Sequence, residues 1–306
     1  MIFDTIIIGG GPAGLSAAIY AVRKNLKTLL VTKIIGGNAA LSGEIENYLG
    51  FTLITGAQLA EKFKEEIEKW SGEKLTVKEG VEVIGLSGQF PDFVIKTTEG
   101  EELKGKTVII ASGRIPKMLG IPGEKEFLGK GVAICATCDA PLYKGKDVVV
   151  VGGGNTALNS AISLSKVASS VAVINVSDDF TGDGVMADKL KGSANVKILH
   201  NTQALEILGD SVVTGLKIKN GQNNSEQVLS VQGIFIDIGY IPSAGFDKLA
   251  KKDQQGQIIV NESEETSVPG IWAAGDVNNL WGEQIIIAAG EGAKAALSVN
   301  EFLTKI

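Results

Sequence analysis

Two stretches of the chain carry an unbroken apolar run that ends in a row of glycines. Asp4-Thr5-Ile6-Ile7-Ile8 leads into Gly9-Gly10-Gly11-Pro12-Ala13-Gly14 and then Leu15-Ser16-Ala17-Ala18-Ile19-Tyr20. Asp147-Val148-Val149-Val150-Val151 leads into Gly152-Gly153-Gly154-Asn155-Thr156-Ala157 and then Leu158-Asn159-Ser160-Ala161-Ile162. The two copies are offset by a constant 143 residues. Continuous rather than alternating apolar residues predict strands buried on both faces, as in a parallel sheet. Each copy closes on a second apolar strand, Thr28 to Val31 and Val171 to Ile174. Each therefore reads as strand, glycine turn, helix and strand, a βαβ unit. Between Gln58 and Trp70, Leu59, Phe63, Ile67 and Trp70 recur at helical spacing among Lys and Glu. That predicts an amphipathic helix with a solvated charged face. Residues 74–114 and 196–240 alternate in short runs and predict meanders, with return strands at Thr107–Ala111 and Gly233–Ile238. Ser112-Gly113-Arg114-Ile115-Pro116 and Gly239-Tyr240-Ile241-Pro242 follow these strands and predict the crossings between domains.

The fold expected is α/β, with two Rossmann-like dinucleotide-binding domains, the second inserted into the first. Gly9, Gly11 and Gly14 have position-specific reasons. The first allows the turn, the second lets backbone approach a pyrophosphate, and the third lets helix and strand pack closely. The helix N-terminus then offers free N–H groups and partial positive charge to phosphates. Ala157 is a small replacement at the third position of the second copy. Two such folds in one chain point to a nucleotide-linked electron-transfer enzyme. The bland alternative is that the second copy is a structural vestige.

Composition narrows the chemistry. The 306 residues are 44% hydrophobic and 21% charged, the balance of a globular protein rather than a disordered one. Glycine is abundant at 39 residues, as turns and close backbone approach require. With 29 basic and 35 acidic residues the net charge is −6, which gives no sign of nucleic-acid binding. No apolar run reaches the ~18 residues of a membrane helix, and no basic leader precedes Ile2, so a cytoplasmic protein is expected. One histidine, His200, leaves no multi-histidine metal site.

The two cysteines are Cys135 and Cys138, in Cys135-Ala136-Thr137-Cys138-Asp139. Beside βαβ units this spacing reads as a dithiol/disulfide pair. One thiolate attacks a substrate disulfide and the other resolves the mixed disulfide. Asp139 is placed to protonate a departing thiolate. Half of a zinc site is the alternative, but no other cysteine is present and His200 stands alone, so no metal is expected.

At these residues the sequence resembles the low-molecular-weight thioredoxin reductases, across essentially the whole chain. The resemblance is carried by Gly9–Gly14, Glu46-Asn47-Tyr48-Leu49-Gly50, Ala111-Ser112-Gly113, Cys135–Asp139 and Gly152–Ala157. It continues through Thr266-Ser267-Val268-Pro269-Gly270, Ala273-Ala274-Gly275-Asp276-Val277 and Gln284-Ile285. Cys-Ala-Thr-Cys-Asp favours this group over related peroxidase-linked reductases, which carry other residues between the cysteines. The resemblance implies a discontinuous FAD domain over 1–114 and 242–306, with an NAD(P)-binding-like domain over 115–241 inserted and carrying the cysteines. It implies that Gly9, Gly11, Pro12, Ala13 and Gly14 hold the FAD pyrophosphate. Asn47 and Gly113 are implied near the flavin, Gly275 and Asp276 at the ribityl or phosphate region, and Gln284 and Ile285 at the ring. Asp276 also reads as the N-cap of a C-terminal helix, and Asn47 as a turn residue. The catalytic set implied is Cys135, Cys138 and Asp139: Cys138 faces the flavin, Cys135 attacks a thioredoxin-like protein, and Asp139 is the acid. A homodimer is also implied.

Two features depart from that family. NADPH-dependent members place a basic cluster after the second strand of the inserted domain. Here the stretch is Asn175-Val176-Ser177-Asp178-Asp179-Phe180-Thr181-Gly182, and from Val167 to Asp188 there is no Lys or Arg but four aspartates. A close like-charge pair with a 2′-phosphate costs roughly 2–4 kcal/mol before screening, at an effective dielectric of about 20. Glu283 stands where relatives often carry Arg. Four donors stay open: ferredoxin, which is favoured; NADH, its ribose bonded by Asn175 or Asp178; a second flavin; or NADPH held by other contacts. Two other roles are weighed: the reductase of a peroxidase system, and a flavin redox sensor without turnover.

Overall fold

The computed structural model describes the backbone of residues 2–42 and 44–306; the side chains of Glu44, Thr137 and Cys138 lie outside what is described. Two compact units result, one of residues 1–115 with 241–306 and one of residues 116–240. In chain order the first opens with β1 (Ile2–Ile8), α1 (Pro12–Arg23), β2 (Thr28–Thr32), the short pair β3 (Glu44–Ile45) and β4 (Ile54–Thr55), and α2 (Gly56–Trp70). It continues through β5 (Leu75–Glu79), β6 (Val83–Gln89), β7 (Asp92–Thr97) and β8 (Glu102–Ile110), then the crossing strand β9 (Arg114–Pro116). The second unit holds β10 (Val132–Ala133), α3 (Ala136–Asp139), β11 (Asp147–Val151), α4 (Asn155–Ser165), β12 (Ser170–Ile174), α5 (Gly184–Lys191) and β13 (Val196–Leu199). The antiparallel strands β14 (Thr202–Gly209), β15 (Val213–Asn220) and β16 (Glu226–Ser230) follow, then β17 (Gly233–Ile236). The chain returns through β18 (Tyr240–Pro242), β19 (Ile271–Ala273) and α6 (Ile285–Thr304).

Both units are Rossmann-like. The first has the sheet order β5-β2-β1-β8-β7-β6, with β19 beside β8. Strands β5, β2, β1, β8 and β19 are parallel, whereas β6, β7 and the start of β8 form an antiparallel meander. The second has the all-parallel order β10-β17-β11-β12-β13 and a separate antiparallel sheet β14-β15-β16. The meanders read from alternation are therefore shorter than expected. Leu75–Glu79 and Val196–Leu199 pair in parallel and extend the nucleotide sheets. Their short runs carry no mark that separates a parallel edge strand from a hairpin strand. Helix α2 starts at Gly56, two residues before the segment expected from Gln58, because Thr55 and Gln58 close a capping box around its first turn.

Within the core of the first unit, α1 and α6 meet along a seam of small residues. Ala17, Ala18 and Ala21 of α1 pack with Ala288, Ala295 and Ala296 of α6 and with Trp272 of β19. A Cβ on Gly292 would collide with the carbonyl of Ala13, so α6 lies directly on the first turn of α1. Among the described residues no helix is long and apolar enough to cross a membrane.

Replacing Gly292 by Val should drive α6 off Ala13 and cost ~1–3 kcal/mol, the usual penalty of overpacking. Gly290, which has open space around its Cβ position, should tolerate Ala without loss. Urea unfolding of both variants checks this, and equal midpoints would remove the seam from the account.

Candidate functional site

The first glycine turn opens onto a cavity of about 820 Å³ lined entirely by the first unit. Gly9 has φ +110°, and a Cβ there would strike the Ala111 carbonyl at the end of β8. Only glycine satisfies both demands. A Cβ on Gly14 would strike the Gly9 carbonyl, so the third glycine serves packing. Gly11 differs, since no protein atom lies near its Cβ position. It is the N-cap of α1, with no side chain capping the helix, and Pro12 follows. The first-turn N–H groups of α1 thus meet the cavity without a side-chain partner, the arrangement that suits a phosphate.

Of the residues expected to bind a cofactor, Gly9, Gly11, Pro12, Ala13, Gly113, Gly275, Asp276, Gln284 and Ile285 line this cavity. Gly14 lies beneath the turn. Asn47 is not in the lining, but its Nδ2 donates to Gln284 Oε1 at 3.0 Å, so it holds a residue that is. Asp276 is not the cap of the last helix. Helix α6 begins at Ile285 with Gln284 as N-cap, because the chain first loops through 277–283. The Asp276 carboxyl is held above the usual carboxylate range, chiefly by burial and then by the charge of Glu283, against an opposing pull from Arg114.

Several residues of this site carried no sequence signal. Arg114 Nε donates to the Asp276 carbonyl at 3.0 Å, and its Nη1 lies 2.5 Å from Glu283 Oε1. Behind Gly275, the Glu291 carboxylate accepts from the Gly275 N–H at 2.7 Å and from Asn278 Nδ2 at 2.8 Å. Asn278 Nδ2 also reaches Glu264 Oε2 at 3.1 Å, and Lys294 pairs with Glu264 Oε1 at 2.7 Å. Glu264 is fully buried, and burial first, then the neighbouring Glu291 charge, pushes its carboxyl up to about 7 against the pull of Lys294. Glu, Asn and Lys scattered through a C-terminal segment look like surface residues until the fold stacks them behind one turn.

The second unit holds the redox pair. Ala136 and Ala140 are buried in its core with Tyr143, whose ring meets Phe235 edge-on at 5.0 Å. These anchor the single turn of α3. Cys135 precedes it and is in a disulfide. The Asp139 N–H donates to the Cys135 carbonyl at 3.1 Å, which puts residues 135 and 139 on one face of the turn. Burial holds the Asp139 carboxyl above the usual range, and its charge adds to the burial that raises the Tyr143 phenol. Cys138 lies in α3, and its side chain is outside the described ones.

The second glycine turn repeats the first, with Gly152 at φ +145° against the Asp237 carbonyl. Its loop repeats as well: in the first unit the Gly36 N–H donates to the Gly10 carbonyl at 2.8 Å, and a Cβ on Gly37 would come 2.9 Å from Gly11 Cα. The N–H groups of Thr181 and Gly182 donate to the Gly153 carbonyl at 2.9 and 3.1 Å. The Asp183 N–H donates to Asn155 Oδ1 at 2.7 Å. A Cβ on Gly182 would come 2.9 Å from the Asn155 nitrogen, the first residue of α4. Segment 180–183 therefore packs beside the second turn much as Gly36 and Gly37 pack beside the first, and at Gly154, the counterpart of Gly11, the nearest atom to the Cβ position is Thr181 Oγ1 at 3.9 Å. Asn175, expected as a ribose ligand, is buried against Gly153 and bonds His200 Nδ1 at 3.1 Å. Its amide is already engaged, which argues against the ribose role. The acidic run is also more structural than its charge implied: Asp183 caps α5, and Asp179 stands 3.9 Å from Lys191 of that helix.

Comparison with known proteins agrees with this architecture. Residues 3–292 match the family model of the pyridine nucleotide-disulphide oxidoreductases. Thioredoxin reductase of T. acidophilum is 38% identical, with TM-score 0.87, and the match covers 99% of each chain. A ferredoxin-flavin thioredoxin reductase of Clostridium acetobutylicum is 33% identical over 100% of this chain and 99% of that one, with TM-score 0.55. An alkyl hydroperoxide reductase component of Staphylococcus aureus is 37% identical over 99% of this chain, which spans 59% of that protein's length.

Glu264 gives a pH test of the buried network. Its native carboxyl titrates near 7 against an ordinary 4.5, so the native state binds more protons between those values. Its stabilising contribution is full below pH 4.5 and lost as pH rises through about 7. Glu264→Gln should flatten the fall in stability across that range, by on the order of 1–3 kcal/mol. Urea midpoints against pH read this directly. An unaltered slope would mean Lys294 keeps Glu264 ionised throughout.

Proposed function

Since the chain belongs to the pyridine nucleotide-disulphide oxidoreductase family, we propose that it is a flavin thioredoxin-disulfide reductase whose donor is reduced ferredoxin rather than NADPH. On this reading residues 1–114 and 242–306 form the FAD domain, and 115–241 form the inserted domain that carries the redox pair. A homodimer rests on family resemblance, and a cytoplasmic site on the expectation drawn from the sequence.

FAD is the cofactor of the family, and the first unit fits it. Gly11 faces open cavity, the α1 N-terminus is uncapped, and Asp276, Gln284 and Ile285 line the same space. When bound there, FAD accepts electrons singly or in pairs and delivers a pair to a disulfide. The chain's own residues do the rest. The Cys135 thiolate attacks one sulfur of the partner disulfide, breaking that S–S bond and forming a mixed disulfide. The Cys138 thiolate then attacks Cys135 sulfur, which releases the partner as a dithiol and restores the Cys135–Cys138 disulfide. Asp139 supplies the proton to the departing partner thiolate. Burial raises its carboxyl, which favours the protonated form that a proton donor needs.

The observation that carries the donor assignment is the absence of Lys or Arg from Val167 to Asp188, where a 2′-phosphate would need a cation and would meet four aspartates instead. The Asn175 carboxamide, engaged by His200 and the Asp179 carbonyl, adds to it. The ferredoxin-flavin reductase among the similar structures supports the same reading. A second reading is supported by the 37% identity to the alkyl hydroperoxide reductase component; on it the dithiol serves a peroxidase system. Comparing thioredoxin with a peroxidase-linked carrier as oxidant separates the two.

Anaerobic titration tests the donor. Reduced ferredoxin should bleach the flavin absorbance, whereas NADPH should act poorly and with no preference over NADH. A low-micromolar Michaelis constant for NADPH would overturn this assignment.

Cys135→Ser and Cys138→Ser should each abolish disulfide reduction while FAD stays bound. Asp139→Asn should slow reoxidation of the dithiol and remove the decline in rate as pH rises through the wild-type carboxyl's range. Stopped-flow reoxidation against pH, with flavin content checked by absorbance, decides the matter; an unchanged profile would reduce Asp139 to a turn residue.

A further inference from the structure

Arg114 lies in the first crossing strand, yet it makes three contacts with the flavin-side cavity walls. Its backbone carbonyl accepts from Asn38 Nδ2 at 2.8 Å. Its Nε donates to the Asp276 carbonyl at 3.0 Å, and its Nη1 meets Glu283 Oε1 at 2.5 Å. The side chain is 16% exposed, while that of Glu283 is 56% exposed. Both residues line the cavity. The guanidinium therefore joins two segments that are separate in sequence, the Gly275–Asp276 turn and the Glu283–Gln284 segment that leads into α6. Gln284 is held on its other side by Asn47. A planar guanidinium offers donors in fixed directions and can serve a carbonyl and a carboxylate together, which an ammonium on a flexible stem does less well.

Building on the flavin reading above, we infer that Arg114 is a positioning residue of the cofactor site: it clamps the Asp276 turn to the Glu283–Gln284 segment, and Glu283 is its counter-ion. The cation comes from the crossing strand and the carboxylate from the segment before α6. The two charges offset each other at the rim, beside the Asp276 carboxyl. Removing the cation exposes Glu283 and Asp276 to each other and to a flavin that gains negative charge on reduction. Removing the carboxylate leaves the guanidinium uncompensated, which favours that reduced flavin. The two losses act in opposite directions on the flavin, although both break the same contact.

That opposition separates a positioning and electrostatic role from a merely structural one. Apoprotein of the full chain is titrated with FAD, and the midpoint potential of the reconstituted flavin is measured for wild type, Arg114→Ala, Arg114→Lys and Glu283→Gln. Arg114→Ala should weaken FAD binding about tenfold, the scale of one charge-assisted hydrogen bond, and lower the potential. Arg114→Lys should recover the potential more fully than the affinity. Glu283→Gln should raise the potential. Equal potentials in all four proteins, or shifts of one sign in Arg114→Ala and Glu283→Gln, would overturn the inference while leaving the flavin reading intact. Wild-type protein that takes up no FAD would overturn both.

Discussion

The first unit depends on backbone reaching backbone where no side chain intervenes. Gly9 lies against Ala111, Gly14 against Gly9, and Gly292 of α6 against Ala13. These three approaches bring the ends of β1 and β8, the start of α1 and the middle of α6 into one tight knot. The cavity exists because that knot leaves Gly11 facing outward. Interiors are packed to crystal-like density, so a single methyl in the knot would displace a helix rather than fill a gap. The alanine-rich surfaces of α1 and α6 extend the same contact away from the turn.

The second unit repeats the same turn with different charge around it. Gly152 repeats the backbone conformation of Gly9, and α4 opens as α1 does. The loop after β12 packs on the Gly153 carbonyl as the loop after β2 packs on that of Gly10, each through backbone N–H donors. The difference is charge, since the stretch from Val167 to Asp188 carries four aspartates and no Lys or Arg. The loop is pinned by its own Asp183 cap on α5 and by Asn175, whose carboxamide is shared with His200.

Charge in the cofactor unit is arranged in pairs rather than left to solvent. Arg114 answers Glu283, and Lys294 answers Glu264. Glu291 is satisfied by the Gly275 N–H and the Asn278 amide. Buried carboxylates without such partners would neutralise themselves by protonation. The raised Glu264 and Asp276 carboxyls mark where the compensation is incomplete. Both stand beside the turn that the functional reading assigns to the cofactor.

The sequence by itself determined the two βαβ units, because continuous apolar strands and glycine turns are local patterns with local causes. It also brought the dithiol motif and its neighbouring acid to notice, since Cys135 and Asp139 lie within one helical turn. Most residues it nominated around the first turn line one cavity. The tertiary structure decided what depends on distant partners. Asp276 has no helix to cap, because the chain runs on to Gln284 before α6 begins. Leu75–Glu79 and Val196–Leu199 join parallel sheets because of their neighbours, not their composition. Arg114 gives no sign of its role, since its partners Asp276 and Glu283 follow more than a hundred residues later. A hydrogen bond between remote segments leaves no periodicity in either one, so only the folded chain records it.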